Sequence, residues 1–166
     1  MSAKMETNLT TLDPEHARPL KPIACVGIIC FRGEEVLLIR RGTAPRKGEW
    51  SIPGGRIEVG ETEPSAALRE LFEETSITAT LGPKVEIIDA VFEDKAYTLH
   101  DYVATYVSGK VISGDDAAHA EFVSPDRLAA LGMWPKTLEV IETARKVRNA
   151  LSLDEISTIQ SPSSGL

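Results

Sequence analysis

The sequence predicts an α/β protein in which a mixed β-sheet is flanked by helices. An apolar, β-branched run at Ile23–Phe31 is followed by a Gly33-Glu34 turn and by Glu35–Arg41, which is the pattern of a β-hairpin. After this hairpin, strand patterns and helix patterns alternate irregularly along the chain. A hairpin followed by irregular alternation favours a mixed sheet over a purely parallel one.

The other elements follow from periodicity and from turn residues. Further strands are expected at Trp50–Pro53, Val85–Phe92, Thr98–Val107 and Glu121–Val123. Helices are expected at Glu63–Thr75, from Pro125 to about Leu131 with Ser124 as its cap, and at Thr137–Leu151. Cys25 and Cys30 are an odd number of residues apart on the first strand, so we expect them on opposite faces as buried free thiols and not as a disulfide.

Length and composition predict one domain and a small-molecule partner. The 166 residues fit a single domain at 22–152, with a flexible leader at 1–21 and a disordered tail at 153–166. Asp and Glu outnumber Lys and Arg by 25 to 18, and the net charge of −7 disfavours a nucleic-acid polymer as partner. No apolar run is long enough to span a bilayer and no signal peptide is evident, so we expect a cytoplasmic protein without a membrane partner. The sequence does not predict an oligomeric state.

An acidic helix carries the strongest chemical signal. Glu70, Glu73 and Glu74 have the spacing i, i+3, i+4 and therefore share one helix face, where like charges repel. Clustered carboxylates suit a hard cation such as Mg²⁺ or Mn²⁺. A solvated acidic face is the alternative, and the Gly54-Gly55 turn before the helix favours the metal site.

Two further expectations concern the same helix. Leu68, Leu71 and Phe72 should form the opposite face and pack against the sheet. Arg69 lies beside the acids and can hold one of them, with Glu61 as a plausible partner.

The residues of this helix and its preceding turn resemble the Nudix box, G-x5-E-x7-R-E-U-x-E-E-x-G-U with U aliphatic. Every charged position matches, and the residues that match are Gly55, Glu61, Arg69-Glu70-Leu71, Glu73-Glu74 and Ile77. The one departure is Ser76 in place of the glycine. A glycine just past a helix end normally has φ > 0, so serine there should cost about 1 kcal/mol without touching the acids.

The resemblance implies the Nudix α/β/α sandwich, with the box as a loop–helix–loop, and hydrolysis of a nucleoside diphosphate linked to another group. Carried over to this sequence, Glu70, Glu73, Glu74 and the Gly55 carbonyl hold Mg²⁺, for which Mn²⁺ is a possible substitute, and Arg69 with Glu61 orients the site. The general base stays open. Its candidates are Glu73, Glu74, the Gly114-Asp115-Asp116 turn and Glu121.

Substrate contacts are less well defined by the sequence. Arg40, Arg41, Arg46 and Lys47 are the basic cluster that can meet phosphates, and Asp116 is a further candidate. The aromatic residues that can stack on a base are Trp50, Phe92, Tyr102, Phe122 and Trp134, although each is more often a core residue. His16, His100 and His119 have no metal-ligand spacing and are expected to be structural or exposed.

ADP-ribose, cleaved to AMP and ribose 5-phosphate, ranks first as substrate. The stretches 40–45 and 50–55 resemble small bacterial Nudix members assigned to ADP-ribose, although Phe92 stands where such members often carry a proline. The alternative is a MutT-type pyrophosphatase for nucleoside triphosphates or 8-oxo-dGTP. A non-catalytic nucleotide-sugar sensor is less favoured because all box acids are present.

Overall fold

Seven strands of the described part of the chain form one mixed sheet. The computed structural model describes residues 20–114 and 116–159, so most of the predicted leader, His16, Asp115 and the end of the predicted tail lie outside the described residues. The strands are β1 (Ile23–Arg32), β2 (Glu35–Arg41), β3 (Trp50–Ser51), β4 (Gly54–Arg56), β5 (Thr78–Phe92), β6 (Lys95–Ser108) and β7 (Ala117–Val123). Their order is β3-β2-β1-β6-β5, with β4 paired to β1 and β7 paired to β2.

The central strand β1 makes the sheet mixed. It runs parallel to β6 from the pair Ile23↔Tyr97 to the pair Phe31↔Thr105. It pairs antiparallel with β2 only beside the turn and with β4 through Gly55↔Val26 and its neighbours. The predicted mixed sheet with an initial hairpin is confirmed.

Helices cover both faces of the sheet. They are α1 (Glu63–Thr75), α2 (Pro125–Leu128), which continues as a 3-10 turn at Ala129–Leu131, and α3 (Pro135–Ile159). Ala66, Ala67 and Leu71 of α1 pack on one face of β1, and Val140, Ile141 and Ala144 of α3 pack on the other face. The predicted α/β/α layering is therefore present. Among the described residues, no helix combines the length and the apolar character needed to cross a membrane.

Several predicted boundaries were wrong. Of the predicted Trp50–Pro53 strand only Trp50–Ser51 is a strand, and Gly54-Gly55, predicted as a turn, begin the short strand β4. Strand β5 begins seven residues before Val85, and β7 begins at Ala117. Bulges between Leu81 and Glu86 let β5 continue through Gly82 and Pro83, which normally interrupt a strand. The last helix extends past Leu151 to Ile159, so residues 153–159 of the predicted disordered tail are helical.

The predicted apolar face of α1 was wrong for two of its three residues. Leu71 is fully buried, but Leu68 is 39% exposed and Phe72 is 57% exposed. The helix is rotated so that its small alanines approach the sheet, and Glu74 shares that buried side. Glu74 therefore faces the interior of the protein, Glu70 is partly buried, and Glu73 is exposed.

Two smaller expectations have different outcomes. Ser124 occupies the cap position of α2, but its side chain makes no capping hydrogen bond. Cys25 and Cys30 are both buried and free, as predicted; Cys30 lies in the core beneath α1.

Candidate active site

The two glycines of strand β4 lie directly against the carboxylates of α1. The Gly54 N–H donates to Glu74 Oε2 at 3.1 Å. A Cβ atom built on Gly55 would lie 2.5 Å from the carboxyl carbon of Glu70, which is too close for any side chain. Thr62 caps the start of α1 by accepting from the Ser65 N–H at 3.2 Å. A side chain at residue 55 would therefore displace the Glu70 carboxylate from its present place against the backbone.

Arg69 organises the outer acids. Its guanidinium makes a two-pronged contact with Glu61, with Nε to Oε2 at 2.6 Å and Nη2 to Oε1 at 2.8 Å. The same side chain donates to Glu70 at 2.9 Å and to Glu73 at 3.1 Å. The hydrogen bond from Arg69 lowers the pKa of Glu61 to about 2. The predicted Arg69–Glu61 pairing is therefore present as a bidentate ion pair.

Glu74 is the most deeply buried acid of the helix. It is 7% exposed, and burial raises its pKa to about 8, although the bond from the Gly54 N–H acts in the opposite direction. The negative charges of Glu70 and Asp116 raise it further, while Arg41 lowers it. Burial also raises the pKa of Glu70, against the effect of Arg69. The arginines near Glu70 and Glu74 therefore do not fully compensate the cost of burying these two carboxylates.

This donor set fits a hard divalent cation. Glu74 accepts one backbone hydrogen bond and lies within the field of other acids, so an oxygen-seeking cation would relieve both its burial and its repulsion. Within residues 20–114 and 116–159, no three Asp, Glu, His or Cys side chains already form a complete metal site. Arg69 instead holds Glu70 and Glu73.

The turn before β7 is fixed to the end of α1. The N–H of Ile112 donates to the Thr75 carbonyl at 3.0 Å, and the N–H of Gly114 donates to the Glu74 carbonyl at 2.9 Å. These bonds bring Asp116 to the same cavity as Glu70 and Glu74. Glu121, the other predicted late acid, is not a cavity residue and pairs with Arg127 at 3.3 Å.

Glu70, Glu74 and Asp116 line a cavity of about 400 Å³. Its acidic end contains Gly55, Glu70, Glu74 and Asp116, and its other end is apolar and aromatic. The apolar end is lined by Ile88, Phe92, Tyr97, Leu99, Trp134 and Val140. The cavity therefore joins a polar, phosphate-compatible end to a surface suited to a flat ring.

The predicted basic residues separate into two groups. Arg41 and Arg46 line the cavity, whereas Arg40 is exposed outside it and donates to the Gly48 carbonyl at 3.0 Å. Lys47 is also outside the cavity lining. The separation arises because successive residues of a strand point to opposite faces, and Arg40 and Arg41 are adjacent in β2.

The predicted aromatic residues also separate. Trp50, Phe92 and Trp134 line the cavity, whereas Tyr102 donates its hydroxyl to Glu63 at 2.9 Å and Phe122 lies in the core beneath α1. The Arg46 guanidinium lies over the rings of Phe92 and Trp134, at 5.2 and 5.1 Å from their centroids. His100 lies 3.4 Å from Glu63, and His119 is exposed.

Among the polar residues that line the cavity, sequence reasoning missed two that are buried, Asp101 and Thr137. Asp101 is 3% exposed and Thr137 is 7% exposed. The sequence does contain a signal for Asp101. It lies two residues from both Leu99 and Val103 in β6, so it shares their face of the strand.

Comparison with known proteins identifies the family. The NUDIX domain model matches residues 21–144. An ADP-ribose pyrophosphatase of Methanocaldococcus jannaschii is 34% identical over 118 residues, which cover 68% of each chain. A Bacillus subtilis protein provisionally named an 8-oxo-dGTP diphosphatase is 32% identical over 103 residues, which cover 61% of this chain and 65% of that one.

The fold has close counterparts among solved structures. A MutT NUDIX hydrolase from Burkholderia pseudomallei superposes with a TM-score of 0.65 and 25% identity, covering 74% of this chain and 98% of that one. The family match, the layered sheet and the box geometry lead to the same conclusion. The chain belongs to the NUDIX domain family and is a hydrolase that acts on phosphoric anhydride bonds.

Proposed function

We propose that the protein hydrolyses the diphosphate of a small nucleotide substrate with Mg²⁺ as cofactor, Mn²⁺ being able to substitute. The favoured substrate is ADP-ribose, cleaved to AMP and ribose 5-phosphate. The observation that carries this proposal is the buried carboxylate of Glu74 beside Glu70 and Gly55, at one end of a cavity of nucleotide size. A buried carboxylate that accepts a single backbone hydrogen bond is stabilised by a bound cation. A diphosphate also binds a divalent cation, which neutralises part of its charge.

The proposed cation ligands are the carboxylates of Glu70, Glu73 and Glu74 and the carbonyl oxygen of Gly55. When bound, the cation supplies charge neutralisation on the phosphoryl oxygens and lowers the pKa of water. Arg69 is a positioning residue in this proposal. Its contacts with Glu61, Glu70 and Glu73 limit the rotamers of the acids.

The chain itself supplies the base and the phosphate contacts. Glu73, Glu74 and Asp116 are the candidates that accept the proton of the attacking water as the bond between phosphorus and the bridging oxygen breaks. Arg41 and Arg46 line the same cavity and can neutralise phosphate charge. Trp50, together with the apolar end of the cavity, offers a surface for a base or a sugar.

The substrate ranking rests on the relatives. The Methanocaldococcus jannaschii relative named ADP-ribose pyrophosphatase supports ADP-ribose, and the Bacillus subtilis relative supports 8-oxo-dGTP as the second candidate. A non-catalytic sensor is disfavoured because Glu70, Glu73 and Glu74 are all present with their Arg69 support. The cytoplasmic location remains a prediction.

A substrate panel with Mg²⁺ tests the proposal directly. AMP, phosphate and pyrophosphate are measured separately for ADP-ribose, dGTP and 8-oxo-dGTP, each with an EDTA control. We expect AMP from ADP-ribose with a higher kcat/KM than either triphosphate gives. If a triphosphate releases pyrophosphate with a kcat/KM tenfold higher than that of ADP-ribose, the protein is instead a nucleoside triphosphate pyrophosphatase. Binding without turnover of any of the three would support the sensor instead.

A further inference from the structure

Asp101 is a buried acid that has no hydrogen-bond or ion-pair partner among the residues that the structure describes. It lies in the middle of β6, is 3% exposed and lines the substrate cavity. None of the described residues forms a hydrogen bond or an ion pair with its carboxyl group. Among the described residues, Arg145 Nη2 is the one fully buried side-chain polar atom without a hydrogen bond, so the carboxyl group of Asp101 keeps contact with the cavity. A carboxyl group in so confined a place gains from a hydrogen-bonding partner. The open side of Asp101 faces the cavity, so a ligand is positioned to satisfy it.

The neighbouring strand leaves room for this acid. Gly27 of β1 pairs with Asp101 on one side and with Gly54 of β4 on the other. A Cβ atom on Gly27 would overlap Oδ1 of Asp101 and lie 2.8 Å from Cδ1 of Ile52. Glycine is therefore needed for the carboxyl group to occupy its present place.

The nearest opposite charge is already engaged. Lys136 pairs with Glu86 at 2.5 Å, and Glu86 is the residue opposite Asp101 on β5. Burial raises the pKa of Asp101 to about 7, with Glu86 adding to the shift and Lys136 opposing it. Whether ionised or protonated, the carboxyl group keeps an oxygen that accepts a hydrogen bond. In either state, the site can therefore accept a hydrogen bond from a donor on the ligand.

The surroundings of Asp101 favour a nucleobase over a sugar. Leu99, Ile88 and Val140 line the same end of the cavity, together with the rings of Phe92 and Trp134. Such a surface accepts the flat apolar faces of a base and leaves sugar hydroxyls unsatisfied. Asp101 is two strand spacings from Gly54, or about 10 Å, which is comparable to the length of a nucleoside.

We infer that Asp101 is a specificity-determining residue that accepts a hydrogen bond from the exocyclic amino group of the substrate's base. The inference rests on the proposed function, since it requires a nucleotide in the cavity. It names the substrate class as nucleotides of amino-bearing bases, with adenine and guanine as the two purine forms. The exocyclic amino group of either adenine or guanine can donate an N–H to the carboxyl oxygen.

Matched nucleotide pairs test this inference by binding, independently of turnover. Isothermal titration measures AMP against purine riboside 5′-monophosphate, and GMP against IMP, because the members of each pair differ only in the amino group. We expect at least one pair to show about a tenfold preference for the amino member in the parent protein. The pair that shows it identifies adenine or guanine as the base.

Substitutions assign the preference to Asp101. Asp101→Leu removes the acceptor, and the preference should fall to about one. Asp101→Asn keeps an amide oxygen and should retain most of the preference; a loss as large as in Asp101→Leu would contradict the inference. The matched control is Asp89→Leu, an exposed acid on β5 that bonds Thr98, and it should leave the preference unchanged.

Folding failure and failure of the proposed function are separable from failure of the inference. If Asp101→Leu does not fold, Gly27→Ala displaces the carboxyl group by steric overlap and should also abolish the preference. Binding of the nucleotides without any preference for the amino member overturns the role of Asp101 alone. Absence of binding by all four nucleotides overturns this inference, whereas absence of turnover in the substrate panel overturns the proposed function.

Discussion

Ser76→Gly should stabilise the protein without changing its activity. Ser76 ends α1 with φ 61° and ψ 18°, which is the left-handed conformation, and its N–H donates to the Phe72 carbonyl at 2.8 Å. The Nudix pattern has glycine at this position, where a side chain is unfavourable. The hydroxyl of Ser76 forms no hydrogen bond with the described residues, so its removal loses no contact.

The expected magnitude follows from two opposing effects. A Cβ atom in the left-handed region costs about 1–2 kcal/mol, and glycine removes that cost. Glycine also increases the conformational entropy of the unfolded chain, which lowers the free energy of unfolding by about 0.4–1 kcal/mol. The net gain is about 0.5–1 kcal/mol, and for a chain of this size it corresponds to a rise in Tm of about 2 °C.

Thermal unfolding of three proteins measures this effect. The parent, Ser76→Gly and the control Ser76→Ala are compared by circular dichroism in the same buffer. Ser76→Ala keeps the Cβ atom and should melt within about 1 °C of the parent, because only the hydroxyl is lost. A lower Tm for Ser76→Gly than for Ser76→Ala would refute the assignment of strain to the backbone of residue 76.

Three further predictions concern other positions. Gly109→Ala should lower Tm by more than Ser76→Gly raises it, because φ is 112° and the new Cβ atom would lie 2.6 Å from the Ser76 carbonyl oxygen. Arg69→Lys should lower kcat at least about tenfold in steady-state assays, because lysine cannot reproduce the two-pronged contact with Glu61. Asp101→Asn should stabilise the protein relative to the parent, and the gain in free energy of unfolding should be about 2 kcal/mol larger at pH 8 than at pH 5, as measured by chemical unfolding. The reason is that the folded-state pKa of Asp101, about 7, lies above its unfolded value, so the parent loses stability as pH rises from about 4 to 7.

Local sequence rules predicted the box and its helix accurately. The bounds of α1 were predicted without error because Pro64 suits a first turn and the periodic pattern stops before Ser76. The Arg69–Glu61 pair was also predictable, since the box fixes both residue types and their spacing. These features depend on contacts that lie close together in the sequence.

The orientation of α1 could not be predicted in the same way. Apolar residues normally face the core, so Leu68 and Phe72 were predicted to pack against the sheet, on the face opposite the acids. The sheet instead receives Ala66 and Ala67, whose small size permits close approach. The function of the helix thus overrides its amphipathic pattern, and only tertiary packing reveals this.

The apolar end of the cavity depends on long-range pairing. Gly27 and Asp101 are far apart in the sequence and become neighbours through the parallel pairing of β1 with β6. Hydrophobic alternation predicts the inward direction of Asp101 but not the strand beside it. Arg40 illustrates the same limit, because its exclusion from the cavity follows from strand register and not from residue type.

The central claim is that the carboxylates of α1 hold the divalent cation of a diphosphate hydrolase. Its most direct test combines turnover with the Mg²⁺-dependent shift in Tm for Glu73→Gln and Glu74→Gln. The control is Glu58→Gln, an exposed acid 3.8 Å from Arg69 whose side chain is 70% exposed. Each test variant should lose at least about 10²-fold in kcat, keep its apo Tm and show a smaller Mg²⁺ shift than the parent and control. Full turnover in both variants, or turnover of the parent undiminished in EDTA, would contradict the claim.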